Sequence, residues 1–79
     1  MDKTRICNRI LNISETMTEQ DFINHLKRHQ IKYKKLWFAK RENGLSAGYG
    51  FIDFNDYDEQ LQMIKNFPIY RDDFILSMK

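Results

Sequence analysis

The chain has 79 residues, which allow one small domain with a modest core. Its 13 Lys and Arg residues exceed its 11 Asp and Glu residues, giving a net charge of +2, and 14% of its residues are aromatic. One cysteine, Cys7, excludes an internal disulfide and a cysteine-based metal site. A lone cysteine fits a reducing compartment, so we expect an intracellular protein of the nucleus or the cytoplasm. No apolar run approaches the ~20 residues of a membrane span, so we expect no membrane partner.

The small net charge hides an asymmetry between the two halves of the chain. Residues 1–41 hold ten basic and four acidic residues, a balance of +6, whereas residues 42–79 hold three and seven, a balance of −4. Residues 27–41 contain seven basic residues and no acid. Such a run fits a solvated surface as well as an electrostatic footprint for a phosphate backbone. The aromatic strand that follows it favours the second interpretation.

The first predicted elements are a strand and a helix. Residues 5–13 are rich in β-branched residues and predict a strand, and residues 14–17 form a polar connection. Residues 18–21, Thr-Glu-Gln-Asp, have the form of a capping box with Asp in place of Glu, which places a helix start at Thr18. Phe22 and Leu26 are four residues apart and should face the sheet.

Residues 31–40 predict a second strand, whose phase is ambiguous. If Tyr33, Lys35 and Trp37 faced the core, the ammonium group of Lys35 would be buried at high cost. We therefore expect Leu36 and Phe38 inside, and Lys35 and Trp37 on the outer face. The pattern alone leaves open whether Trp37 is exposed or part of the core.

A turn over residues 41–46, with Asn-Gly as its strongest signal, joins this strand to a third one in a hairpin. The third strand, residues 47–54, alternates strictly. Tyr49, Phe51 and Asp53 should point to one face, and Ile52 and Phe54 to the core. Its two glycines, at 48 and 50, predict a bend or a close approach by another group.

The remaining segment predicts a second helix and a last strand. Asn55 or Asp56 caps the helix, which runs to about Asn66 and is stopped by Pro68. One apolar side of this helix is expected to contain Tyr57, Leu61, Ile64 and, at its end, Phe67. Residues 71–73 predict a turn into a strand over residues 74–78, with Phe74, Leu76 and Met78 facing in.

Together the elements predict a single α+β domain over residues 1–79. The order β-α-β-β-α-β is that of a ferredoxin-like sandwich, a four-stranded antiparallel sheet with two helices on one face. The other face of such a sheet is free. Tyr49 and Phe51 are expected on that free face.

Residues 48–54 match the long RNP motif at every position, with Ile52 in place of Val, whereas Ala47 replaces the basic first residue. In this motif and in the order of its elements, the chain resembles the RNA-recognition motif (RRM) family over essentially its whole length. The resemblance implies a domain that binds single-stranded RNA on the open sheet by stacking bases on aromatic rings. It implies no cofactor and no small-molecule substrate, and it adds other ribonucleoprotein subunits as potential partners.

The resemblance also implies the site residues. Tyr49 and Phe51 occupy the two aromatic positions of the long motif and would stack on bases. The shorter RNP motif on the first strand fits poorly, because its stacking position falls on Arg9 and an apolar position falls on Asn8. A guanidinium can stack on a base and contact phosphate, so Arg9 remains a candidate. Further candidates are Trp37 as a third stacking ring and, as cations, Lys35, Lys40, Arg41 and Lys79.

Other chemistry has little support in the sequence. His25 and His29 are four residues apart, but no acid or cysteine is clearly placed to complete a metal site with them. No nucleophile has an evident base and orienting partner, so we expect no enzyme. The alternative function is an RRM-like protein-interaction module that binds a partner peptide through its helical face or within a ribonucleoprotein complex. The weak first-strand motif favours this alternative, whereas residues 71–74 are one residue too long for the peptide-binding loop, Arg-x-Phe.

Overall fold

The structure, a computed structural model, describes residues 6–76. Over that range the elements are β1 (Ile6–Leu11), α1 (Glu19–Arg28), β2 (Lys35–Lys40), β3 (Ser46–Phe54), α2 (Tyr57–Asn66), β4 (Ile69–Tyr70) and β5 (Asp73–Ile75). The predicted α+β class is confirmed, and both helices and the β2–β3 hairpin are found, although β2 begins at Lys35 and not at residue 31. Strand β4 was not predicted.

The strands form one sheet in the order β2-β3-β1-β5-β4. β3 is antiparallel to both β2 and β1, and β4 is antiparallel to β5, but β5 runs parallel to β1. The predicted four-stranded antiparallel ferredoxin-like sheet is therefore wrong in this structure, which has a five-stranded mixed sheet.

A short hairpin after α2 causes this difference. The chain first forms β4 at the edge of the sheet, turns through Arg71 and Asp72, and returns as β5 between β4 and β1. Arg71 has a φ of 61°, the left-handed conformation that tight two-residue hairpin turns require. The sequence pattern predicted a turn at residues 71–73 that leads into one strand. In the structure the chain reverses completely there, which adds β4 and makes β5 run parallel to β1.

The core lies between the helices and one face of the sheet. Its buried apolar residues are Ile10, Ile13, Phe22, Leu26, Ile31, Phe38, Ile52, Phe54, Met63, Phe67, Phe74 and Leu76. The capping box of α1 is confirmed, since the Thr18 hydroxyl accepts the Asp21 N–H and the Asp21 carboxylate accepts the Thr18 N–H. The expected burial of Phe74 and Leu76 is also found, whereas Met78 lies outside the described residues.

Helix α2 is capped by Asp56 and ends at Asn66 as predicted, but it is rotated relative to the expected buried side. Tyr57 is 64% exposed and Leu61 is also exposed, whereas Met63 is fully buried. Met63 and Phe67 are four residues apart and both reach the core, and their burial fixes the rotation of the helix. Of the predicted apolar side, Ile64 packs against the core and Phe67 is buried, whereas Tyr57 and Leu61 are exposed.

The phase predicted for β2 is confirmed, because Phe38 is buried and Leu36 packs against the core. Gly50 lies directly opposite Phe38 on β3. A Cβ at Gly50 would lie 2.8 Å from the Trp37 carbonyl oxygen and 2.9 Å from Phe38 Cδ1. The close approach predicted from this glycine is therefore made by the neighbouring strand of the same chain.

Candidate nucleic-acid interface

The surface of the sheet opposite the helices, called here the open face, carries the side chains that alternate with the buried ones. They include Arg9 and Leu11 on β1, Lys35 and Trp37 on β2, Tyr49, Phe51 and Asp53 on β3, Tyr70 on β4, and Asp73 and Ile75 on β5. Because directly opposite residues on paired strands share a face, the register fixes which of these side chains are neighbours.

One row of residues crosses all five strands of the open face. Trp37 lies opposite Phe51, Phe51 opposite Arg9, Arg9 opposite Asp73, and Asp73 opposite Tyr70. Four of these five side chains are planar groups that can stack on another flat group. This row is called the central row below.

At the β2 end of the central row, three aromatic rings are in contact. The ring centroids of Trp37 and Phe51 are 4.8 Å apart and their planes are within 18° of parallel. Tyr49 meets Phe51 edge to face, with centroids 6.1 Å apart. Trp37 is 44% exposed, so the structure places it on the open face and not in the core.

This stacking decides which ring faces are accessible. Two rings that are nearly parallel and under 5 Å apart cover each other's faces, so they cannot both lie flat on the sheet. Phe51 therefore has one face covered by the indole and is only partly exposed. The flat surfaces open to a ligand in this cluster belong mainly to Trp37 and Tyr49.

Arg9, in the middle of the central row, forms an ion pair with Asp73. Its Nε and Nη2 donate to the two carboxylate oxygens of Asp73, at 3.3 and 3.0 Å. Asp73 raises the pKa of the Arg9 guanidinium, first through this hydrogen bond and then through its charge. The Arg9 side chain stays 51% exposed, so its surface remains accessible while one hydrogen-bonding edge is occupied.

The predicted cations concentrate at the β2 edge of the sheet. Lys35 and Lys40 lie at the two ends of β2, Arg41 follows it directly, and all three are exposed. The acidic Asp72 and Asp73 lie at the opposite side of the sheet, at the β4–β5 hairpin. Lys79, the last predicted site residue, lies outside the described residues.

Asn8 explains the misfit of the shorter RNP motif on the first strand. Its side chain is buried on the helix side of the sheet, where its Nδ2 donates to the Asp72 carbonyl at 2.9 Å. Its Oδ1 accepts from Gln60 Nε2 at 2.8 Å. Asn8, which stands where the motif has an apolar residue, thus joins β1 to α2 and to the β4–β5 turn through two hydrogen bonds.

Tyr70 is a residue of the open face that the sequence did not identify. It is 63% exposed, and the guanidinium carbon of Arg71 lies 5.2 Å from its ring centroid. Ile69 and Tyr70 form the unpredicted strand β4. The sequence signal for this strand was an apolar-aromatic dipeptide directly before a two-residue turn.

No family model matches the chain, and no curated protein matches it.

Within residues 6–76, no three His, Cys, Asp or Glu side chains are grouped so that they could hold a metal ion. Neither helix of that range is long and apolar enough to cross a membrane. His25 and His29 are in contact, with ring centroids 4.7 Å apart.

Proposed function

We propose that this chain is a non-enzymatic RNA-binding module of the RRM type, which binds a short single-stranded RNA on its open face. The observation that carries this proposal is the aromatic cluster of Trp37, Phe51 and Tyr49 beside the basic edge of β2. Exposed rings offer flat surfaces to unstacked bases, and lysines beside them offer charge to phosphates.

The aromatic cluster lies on β2 and β3, away from β4 and β5, where the sheet differs from the predicted one. Its support for the proposal therefore does not depend on that difference. β2, β3 and β1 are antiparallel, as the family resemblance implies, and they carry the whole RNP-like motif together with Arg9. The parallel strand β5 departs from that resemblance only beyond β1. RNA binding on the β2–β3 side therefore does not depend on the part of the fold that differs from the prediction.

The roles of the residues follow from their surroundings. Trp37 and Tyr49 provide the stacking surfaces, and Phe51 packs against the inner face of the Trp37 indole. Lys35, Lys40 and Arg41 neutralise phosphates at the β2 edge, where Ala47 lacks the cation of the motif. Arg9 offers its planar guanidinium for stacking, because Asp73 already accepts two of the hydrogen bonds that it could donate to a phosphate.

A titration with RNA tests this function directly, because Trp37 is the only tryptophan and its fluorescence reports on the site. We expect random-sequence single-stranded RNA to quench this fluorescence, with an affinity that falls as salt is raised from low to physiological concentration. The double variant Trp37→Ala/Tyr49→Ala, followed by anisotropy of labelled RNA, should bind at least about tenfold more weakly. Tyr57→Ala, on the helical side, is the matched control and should bind like the unaltered chain.

If the double variant binds RNA as tightly as the Tyr57→Ala control, the stacking function is wrong. Wild-type affinity that does not change with salt would contradict the role of the basic edge. A urea unfolding curve of each variant shows that lost binding does not arise from lost structure.

A protein-binding function is the second candidate, and the rotation of α2 favours it. Tyr57 and Leu61 are four residues apart on the same side of α2 and both are exposed, although large apolar side chains usually contact something. Chemical-shift mapping separates the two functions. RNA-induced shifts on the open face, at Trp37, Tyr49 and their neighbours, support the first function, and their absence supports a protein partner at α2.

A further inference from the structure

We propose that Tyr70 and Arg71 form a second base-binding position on the open face, which takes a nucleobase of the same RNA strand that contacts Trp37. The inference rests on the proposed function and adds a position at the opposite edge of the sheet. This edge consists of β4, the strand that the sequence did not predict.

The first support is the exposure of Tyr70, a large aromatic side chain that is not part of the core. In the two-residue strand β4, Ile69 packs against the core, whereas Tyr70 is 63% exposed. Its partner across the β4–β5 pair is Asp73, whose own partner on β1 is Arg9. Tyr70 therefore lies on the open face, in the central row.

The second support is the pairing of the ring with a cation. The guanidinium carbon of Arg71 lies 5.2 Å from the Tyr70 ring centroid. A guanidinium over one face of an aromatic ring leaves the other face for a base and places a positive charge near the adjacent phosphate. Arg71 also supplies the only basic side chain of the β4–β5 hairpin, among residues 69–75, which otherwise carries Asp72 and Asp73.

The third support is the surface between the two positions. Five strands at the usual spacing put Tyr70 about 19 Å from Trp37 across the sheet. The middle of this path is the half-exposed guanidinium of Arg9, whose charge is balanced by Asp73. A strand of several nucleotides can therefore cross the sheet along the central row without meeting an unpaired carboxylate at its centre.

The geometry predicts a dependence on RNA length, because a dinucleotide cannot reach both ends of the path. The experiment measures binding of labelled dinucleotide and octanucleotide RNAs of random sequence to the full chain and to the variants Tyr70→Ala and Trp37→Ala. We expect Tyr70→Ala to weaken octanucleotide binding about tenfold. Dinucleotide binding should be unchanged in Tyr70→Ala and lost in Trp37→Ala.

Two further variants keep the test decisive. Tyr70→Phe retains the ring and should bind the octanucleotide like the unaltered chain, which excludes a general effect of altering β4. Arg71→Asn removes the guanidinium but tolerates the positive φ at this position, and it should weaken octanucleotide binding about threefold while lowering its salt dependence.

Equal octanucleotide affinity of Tyr70→Ala and of the exposed control Tyr57→Ala would overturn the second position. If Trp37→Ala still weakened binding in that case, the proposed function would stand without it. If neither Trp37→Ala nor Tyr70→Ala changed binding of either RNA, both proposals would be wrong.

Discussion

Arg9 and Asp73 lie directly opposite each other on the parallel strands β1 and β5, and two hydrogen bonds join their side chains. They are 64 residues apart in the sequence. The pair occupies the centre of the open face, so its charges act on any ligand that crosses the sheet. A phosphate that approaches Arg9 competes with a carboxylate that is already bound to it.

The first prediction concerns this competition. Asp73→Asn should strengthen RNA binding, because it removes a negative charge from the binding face and releases the guanidinium. The slope of log affinity against log salt should become steeper by about 0.7, the value for one further phosphate contact of a single strand. Anisotropy titrations of labelled RNA at several salt concentrations measure both quantities.

Arg9→Ala provides the opposite case, because it leaves the Asp73 carboxylate unpaired on the open face. It should weaken binding, and adding Asp73→Asn to it should restore part of the loss. If Asp73→Asn changed neither the affinity nor the salt slope, the ion pair would lie outside the path of the RNA.

The second prediction concerns the buried amide of Asn8, which joins β1 to α2 and to the β4–β5 turn. Asn8→Ala leaves the partly buried Gln60 amide and the Asp72 carbonyl without this partner. We expect the free energy of unfolding to fall by about 1–3 kcal/mol. Urea unfolding measures this loss, and hydrogen exchange should show the amides of β5 losing protection first.

The matched control for Asn8 is Asn24, an exposed asparagine on α1 that accepts a surface hydrogen bond from Gln20. Asn24→Ala should change the free energy of unfolding by less than about 0.5 kcal/mol. Equal effects of the two substitutions would show that the buried network contributes nothing beyond an ordinary surface contact.

The third prediction concerns Gly50. An alanine Cβ there would lie within 3 Å of the Trp37 carbonyl oxygen and of Phe38 Cδ1, and the backbone oxygen cannot move away easily. Gly50→Ala should therefore lower the free energy of unfolding by about 1–3 kcal/mol. The same substitution should weaken RNA binding, because it displaces the strand that carries Trp37.

A double-mutant cycle with Phe38→Ala, which lacks the Cδ1 atom that meets the new methyl group, tests the steric cause. The smaller side chain removes one of the two close contacts, so alanine at Gly50 should cost less in that background than in the unaltered chain. If Gly50→Ala lowered the free energy of unfolding equally in both backgrounds, the whole effect would come from the contact with the Trp37 carbonyl oxygen.

Several features of the site could be read from the sequence because local physical chemistry determines them. The cost of burying Lys35 favoured the outer face for Trp37 but left its side open, and the structure places it on the open face. Strict alternation placed Tyr49 and Phe51 on that same face. The capping residues Thr18 and Asp56 located the starts of both helices.

Other features depend on choices that a local pattern does not reveal. In α2, the predicted apolar side ran from Tyr57 and Leu61 to Phe67, but the residue that joins Phe67 in the core is Met63. Only packing against the sheet decides this rotation of the helix. Strand β4 has two residues, too few to show a period, and the direction of β5 follows from the conformation of Arg71. The position of Tyr70 on the open face could not be predicted from the sequence, because it depends on that strand.

The fourth prediction concerns His25, whose ring packs edge to face on the buried Phe67 with centroids 5.4 Å apart. Loss of hydration lowers the pKa of His25 from its ordinary 6.5, and the neighbouring charges of His29 and Arg28 lower it further. The folded chain therefore binds a proton at this imidazole less readily than the unfolded chain does. The resulting stability is present above pH 6.5 and is lost as the pH falls from there through the lower pKa of the folded state.

Urea unfolding at a series of values between about pH 8 and pH 5 measures this dependence. His25→Gln keeps a polar side chain of similar size but cannot take up a proton, so it should flatten the pH dependence in that window. Titration of the His25 ring resonances by NMR gives the folded-state pKa directly. If that pKa is at or above 6.5, or if His25→Gln loses stability as steeply as the unaltered chain, the packing on Phe67 does not exclude the charged imidazole.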